Sequence, residues 1–210
     1  MQRTMSQTAA ATQFGLIRHA PTAWNLGKRI MGQMDQALAP VGEDAARRWG
    51  RRLATENWDR ILSSDSRRAV QTAELVNLSV RAELHTDTRL QEQNWGRWSG
   101  RRLSEIRAGA KDRLEALEQT GWRFRPPGGE DRRSVQRRAF RALAEAVERW
   151  PGARILVVTH EGVIKCLVYH LRGRRFVPSE APLLLPYHLH RITAGAGRPW
   201  RVDVNAIDLR

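Results

Sequence analysis

Short apolar runs alternate with longer segments in which apolar side chains return at helical spacing, and this rhythm holds from residue 14 onward. Phe14-Gly15-Leu16-Ile17-Arg18 is the first run. It ends abruptly in Arg18-His19-Ala20-Pro21, as a buried strand does when it empties into a loop. From Pro40, suited to a first helical position where no amide donor is needed, Val41, Ala45, Trp49 and Leu53 recur every four residues and predict a helix over about 40–56. Arg60-Ile61-Leu62-Ser63 predicts a second strand, followed by Ser64 or Asp65 as N-cap of a helix carrying Ala69, Ala73 and Val76 on one face. Residues 83–87 predict a third strand, and residues 102–119 repeat Leu103, Ile106, Ala110, Leu114 and Leu117 before Arg125-Pro126-Pro127-Gly128-Gly129 breaks the pattern. A long helix then carries Val135, Ala139, Leu143, Ala146, Val147 and Trp150 up to Pro151-Gly152. Ile155 to Thr159 is the clearest strand, with His160 at its end. A helix over 161–172 turns Val163, Ile164, Leu167 and Leu171 inward, and His188 to Thr193 and Trp200 to Ile207 alternate as strands of a late hairpin.

Strands alternating with helices predict an α/β fold, a three-layer α/β/α sandwich around a mainly parallel, mixed central sheet. In such sheets ligands bind at the carboxyl ends of strands. Arg18-His19 follows one predicted strand, His160 another, and Arg68 lies in the helix after a third, so distant residues can converge there. There is no internal repeat and no linker, which predicts one domain over 14–210 behind a flexible tail at 1–13.

Composition narrows the classes. With 41% hydrophobic and 28% charged residues, the 210-residue chain is neither a disordered polymer nor a membrane protein. No run approaches the ~20 apolar residues that span a bilayer. A single cysteine, Cys166, cannot close an internal disulfide or build a zinc cluster, which points to the reducing cytoplasm. Lys and Arg number 36 against 22 Asp and Glu, and all but Lys28, Lys111 and Lys165 of those cations are arginine, whose planar fork suits phosphate and carboxylate. The charge is dispersed over helical faces, which argues against nucleic acid as a partner and for a small anionic one.

Four segments then carry a resemblance. Leu16 to Asn25 resembles the Arg-His-Gly signature of the histidine phosphatase superfamily, the phosphoglycerate mutase-like family. Ser63 to Ala73 resembles its second motif, Leu90 to Gly100 the segment bearing the catalytic acid, and Val158-Thr159-His160-Glu161-Gly162 the second-histidine motif. The resemblance implies that His19 is the nucleophile, that Arg18, Arg68 and His160 hold the phosphoryl group with Asn25 and Thr22 beside them, and that Glu92 is the proton donor. It implies no cofactor and no metal, a small phosphorylated substrate, and compatibility with a homodimer. The chemistry is coherent. A neutral imidazole attacks phosphorus through one nitrogen if the other N–H is fixed, and guanidinium forks do the work otherwise left to magnesium.

Some positions keep two readings. Thr22 and Asn25 contact phosphate or cap a turn after Pro21. Glu130 touches substrate or sits in a first helical turn. Ala20 stands where the family has glycine and Pro21 where it has an acid. If the backbone there needs a positive φ, alanine is a handicap. Glu161, beside His160, contacts a substrate hydroxyl or opposes a second phosphate. His85, His170, His188 and His190 have no motif around them, and a His pair alone is a poor metal site. The segment between the acid motif and the Pro-Pro turn is short, which favours a phosphatase over a phosphoglycerate mutase, and the Pro-Gly-Gly-Glu element resembles α-ribazole-phosphate and broad-specificity phosphatases. A catalytically inactive phosphate-binding module stays open at this point.

Overall fold

A computed structural model of the chain describes residues 10–195 and 198–210. Six strands form one mixed sheet in the order β3-β2-β4-β1-β5-β6: β1 (Thr12–Arg18), β2 (Arg60–Ser63), β3 (Glu83–Thr86), β4 (Arg154–Thr159), β5 (His188–Gly195) and β6 (Arg198–Asp208). The first four in that order are mutually parallel, and β5 and β6 complete the sheet antiparallel. The expected tail at 1–13 lies largely outside the described residues. Its end is corrected, because Gln13 already pairs with Arg154 and Thr193 on its two neighbours.

Alternation along the strands builds two cores. Phe14, Leu16, Ile155 and Val157 face α5 (Arg132–Arg149) and α6 (Glu161–Leu171), while Ile17, Leu156 and Val158 face α2 (Pro40–Leu53) and α3 (Arg67–Val80). Central strands buried on both faces read as continuous apolar runs, as 155–158 does. Two helix expectations shift. In α2 the buried stripe is Gly42, Ala45, Ala46, Trp49, Gly50 and Leu53, and Val41 is exposed. A four-residue repeat overshoots the 3.6-residue turn, so the stripe read from the sequence drifts off the buried face. In α3 the N-cap is Ser66, because Ser64 is drawn inward to a ligand of its own.

Two further helices lie over the carboxyl edge of the sheet. The short α1 (Ala23–Leu26) follows Pro21, and α4 (Leu103–Gln119) is interrupted at Ala110, where φ is −157°. Ile106 and Leu114 of α4 pack with Trp98 and Phe124 into a third, separate cluster that caps that edge.

The α2–α3 contact is close enough to test. A Cβ on Gly50 would lie 2.7 Å from the Val76 carbonyl oxygen, whereas one on Gly109 of α4 would meet nothing within 4 Å. Gly50→Ala is expected to cost about 1–3 kcal/mol by overpacking. Gly109→Ala should be neutral or stabilise by about 0.5–1 kcal/mol through helix propensity. Thermal melts of the two variants check both signs.

Candidate active site

The carboxyl ends of β1, β2 and β4 stop within one residue of each other, with Arg18 opposite Thr159 and Ser63 opposite Val158. The chain then continues in register for one more bond each: His19 N–H donates to the Thr159 carbonyl (2.9 Å) and Ser64 N–H to the Val158 carbonyl (2.9 Å). This brings the His19 and His160 rings to 5.3 Å between centroids. Arg68, in the first turn of α3, fills the space between them and is 1% exposed.

The guanidinium of Arg68 is spent on four acceptors. Nε donates to His19 Nε2 (3.2 Å), Nη2 to His160 Nδ1 (3.2 Å) and to the Gly32 carbonyl (2.9 Å), and Nη1 to the Met34 carbonyl (2.9 Å). No carboxylate lies within ion-pair distance of it among the described residues, and burial lowers its pKa. Arg67 beside it is exposed and only its backbone N–H is used, on Asp35. The His19 ring is oriented from both sides, since Nδ1–H donates to the Ala20 carbonyl (2.8 Å) and Nε2, left without a proton, accepts from Arg68 Nε. Burial first, then Arg18 and Arg68, hold His19 well below the ordinary imidazole pKa. Burial and then Arg68, His19 and Arg18 do the same for His160, whose Nε2–H donates to Ser64 Oγ (2.9 Å). Ala20 is not among the residues with positive φ, so the missing glycine costs the backbone nothing, and its N–H donates to Thr72 Oγ1 (2.9 Å).

Glu92 reaches the same cleft from a loop, its carboxylate accepting N–H bonds from Gln93 (2.8 Å) and Gly162 (3.2 Å). Thr159 Oγ1 ties that loop to the end of β4 by donating to the Leu90 carbonyl (2.7 Å). From behind, Arg138 donates to the carbonyls of Arg89 (2.7 Å) and Glu92 (3.1 Å) and pairs through two nitrogens with Glu130 (2.9 Å each). Glu130 therefore sits behind the acid loop, outside the cleft lining. Thr22 is also outside that lining. It is fully buried in a capping box with Asn25, in which Asn25 N–H donates to Thr22 Oγ1 (3.2 Å) and Thr22 N–H to Asn25 Oδ1 (3.0 Å). Asn25 itself lines the cleft. Glu161 is there too, clamped between Arg18 Nη1 and Lys165 Nζ. Burial would raise its pKa, but the two cations hold it below the usual carboxylate value.

The cleft measures about 840 Å³, and its wall carries Arg18, Lys28, Arg29, Arg68, Arg107, Arg132 and Lys165 against Glu92 and Glu161. Such a wall suits an anion. His19 lines it, whereas His160, fully buried, lies behind the lining and reaches Arg68 from there. His188 and His190 lie on the far side of the Arg18–Glu161 pair, in a separate small pocket, and His85 packs tilted against Trp150 and His170 edge-on against Phe140. Cys166, buried on α6, reaches the cleft wall with its thiol pKa pushed up by burial. Ser64, Thr159, Gly162 and Arg138 were not singled out from the sequence for roles at the site.

A family model described as "Histidine phosphatase superfamily (branch 1)" matches residues 14–206. A protein of Salmonella choleraesuis (strain SC-B67) named "Probable phosphoglycerate mutase GpmB" is 35% identical over 170 residues, covering 77% of this chain and 75% of its own. Among solved structures, YhfR of Bacillus stearothermophilus superposes with a TM-score of 0.85 at 30% identity, over 95% of this chain and 99% of that one. A mycobacterial glucosyl-3-phosphoglycerate phosphatase, solved with VO3, gives 0.82 at 29%, over 93% and 99%.

The buried neutral imidazoles set an acid limit. His19, His160 and also His190, lowered to about 4 by burial and His188, remain unprotonated in the fold, while an unfolded histidine binds its proton near pH 6.5. Below that pH the unfolded chain holds more protons, so stability is complete above about 6.5 and lost as pH falls. The melting temperature is expected to hold from pH 8 to 7 and to decline from 6.5 towards 4.5. A flat profile from pH 7 to 5 would contradict it.

Proposed function

The chain belongs to the histidine phosphatase superfamily, and from that premise we propose that it hydrolyses small phosphomonoesters through a phosphohistidine on His19, with Glu92 as proton donor. The observation that carries this is the geometry of the His19 ring: its Nδ1–H is fixed on the Ala20 carbonyl and its Nε2 accepts from the buried guanidinium of Arg68, and burial lowers the ring's pKa. The phosphoryl group enters at His19, with His160 behind the lining. The Nε–H and Nη2–H of Arg68 turn from the two rings to equatorial oxygens, joined by Arg18 and Asn25. His19 Nε2 attacks phosphorus, the P–O ester bond breaks, and Glu92 gives its proton to the departing alkoxide. In the second step Glu92, now a carboxylate, takes a proton from water as its oxygen attacks phosphorus. The P–N bond breaks, the electron pair returns to Nε2, and phosphate leaves. The charge that develops faces donors already gathered at the strand ends, where it is stabilised with little reorganisation.

Thr22 is read as a cap and Glu130 as a brace in this scheme, and Glu161 as an occupant of Arg18 that phosphate must displace or share. The name of the Salmonella relative favours a second reading, a mutase that returns the phosphoryl group to another hydroxyl. A coupled assay separates the two, since a mutase interconverts phosphoglycerates far faster than it releases phosphate. A cytoplasmic setting accords with the single, buried thiol. Among the described residues no helix is long and apolar enough to cross a membrane.

Hydrolysis of p-nitrophenyl phosphate should persist in EDTA and vanish in His19→Ala. Glu92→Gln should lose about 10²–10⁴-fold in kcat on alkyl phosphates, whose leaving oxygen needs a proton, and far less on p-nitrophenyl phosphate, whose leaving group does not. Equal losses on both would remove Glu92 as the donor.

The acid loop gives a second test. A Cβ on Gly162 would fall well inside van der Waals contact with Glu92 Oε1, so Gly162→Ala is expected to displace the carboxylate and lower kcat by about 10²-fold on alkyl phosphates. Arg138→Met, which unties the loop from behind, should act in the same direction with KM little changed. Steady-state kinetics on paired alkyl and aryl phosphates measures both.

A further inference from the structure

Arg132, the first residue of α5, lines the cleft wall and, like Lys28, Arg29 and Arg107 there, has no carboxylate within ion-pair distance among the described residues; it differs from them in how it is held. Its guanidinium lies between the rings of Phe124 and Phe176, 4.3 and 3.9 Å from their centroids. Nη1 donates to the carbonyls of Gly121 (3.0 Å) and Phe176 (2.9 Å), which uses both of its hydrogens. Nε and Nη2 make no hydrogen bond with any described residue. Neither is among the sealed, unpartnered polar atoms of the described residues, and Arg132 is a residue of the cleft lining. No carboxylate lies within ion-pair distance of Arg132 among the described residues. Arg18 is engaged with Glu161 and Arg29 with the Gly100 carbonyl, whereas Arg107, also on the wall, has neither a ring stack nor a hydrogen bond among the described residues to fix its guanidinium.

Burial pulls the Arg132 pKa down to about 10, which still leaves it charged at neutral pH. A half-buried cation held in plane by two rings and two carbonyls has little rotamer entropy left to lose on binding. Its free Nε–Nη2 edge presents two coplanar donors, the fork that matches two oxygens of a carboxylate or phosphate.

We propose that Arg132 is a second anion-binding point in the cleft, and that the substrate is a phosphomonoester bearing a further carboxylate or phosphate that docks on its Nε–Nη2 edge. This rests on the phosphatase reading for the term substrate, but the binding claim does not require turnover. The cation–π sandwich also explains why an arginine and not a lysine stands there, since only the planar group stacks on both rings while offering an edge.

The test compares phosphooxyalkanoates, with two to six carbons between their ends, against hydroxyl-ended alkyl phosphates of equal length. Calorimetric titration on a His19→Ala background keeps the probes from being consumed. At one or more lengths the carboxylate probe is expected to bind about tenfold more tightly or better, and adding Arg132→Met should bring that ratio to near one. Taking the ratio cancels any general loosening of the cleft in the variant. The ratio before Arg132 is changed is a test in itself, independent of how Arg132→Met folds. A ratio near one at every length overturns the proposal, and so does a high ratio that survives Arg132→Met. Alkanediol bisphosphates run alongside tell which anion is preferred, and tighter binding by either kind supports the shared chemistry. If the unmodified enzyme binds these probes selectively and hydrolyses none of them, the phosphatase reading fails and the anion point stands.

Discussion

A positive charge buried without a direct ion pair is the constraint on which the rest depends. Taking a guanidinium out of water costs several kcal/mol unless something replaces the lost hydration. At Arg68 the replacement is two backbone carbonyls and two imidazoles, all neutral. The fold thus satisfies its hydrogen bonds without a direct ion pair. Burial keeps both rings deprotonated and the Arg68 charge adds to it, while Arg68 holds the Nε2 side of His19 opposite the Ala20 carbonyl and supplies positive charge of the kind a phosphoryl group answers. The loop carrying Gly32 and Met34 is held over the site by the same residue, so the catalytic charge also organises the wall of the cleft.

Three arginines show how differently one side chain can be used. Arg68 is central and has no direct ion pair. Arg138 is fully paired with Glu130 and serves as a tie for the loop of Glu92. Arg132 is fixed by aromatic rings and keeps an edge open. In a chain with 33 arginines, composition describes all of them alike, and only the partners found in the fold tell them apart.

The strands and long helices were legible because burial on both faces of a parallel sheet leaves continuous apolar runs, and because Pro40, Pro151 and the Pro-Pro-Gly-Gly turn punctuate them. His19, His160 and Arg68 were legible because each follows a strand end and lies in a motif of strong resemblance. Glu130 and Thr22 stood open between two roles, since a carboxylate or hydroxyl near a helix start has both a local partner and a possible ligand. The geometry puts Thr22 with its local partner, and it gives Glu130 neither expected role: it precedes the Asp131 N-cap, outside the first turn of α5, and pairs with Arg138. Arg138 and Gly162 escaped notice for another reason. One acts through a carbonyl oxygen on a loop 46 residues away, which leaves no pattern in the sequence; the other lies inside the second-histidine motif but acts by having no side chain, so the motif shows its place and not its role.

The cluster of Trp98, Ile106, Leu114 and Phe124 is separate from the two sheet cores. Its side chains can therefore be exchanged as a set without repacking the strands that carry the histidines. Chemistry and selectivity are in this way assigned to different hydrophobic nuclei, so a lineage can redraw what the upper wall admits while inheriting the reaction centre intact.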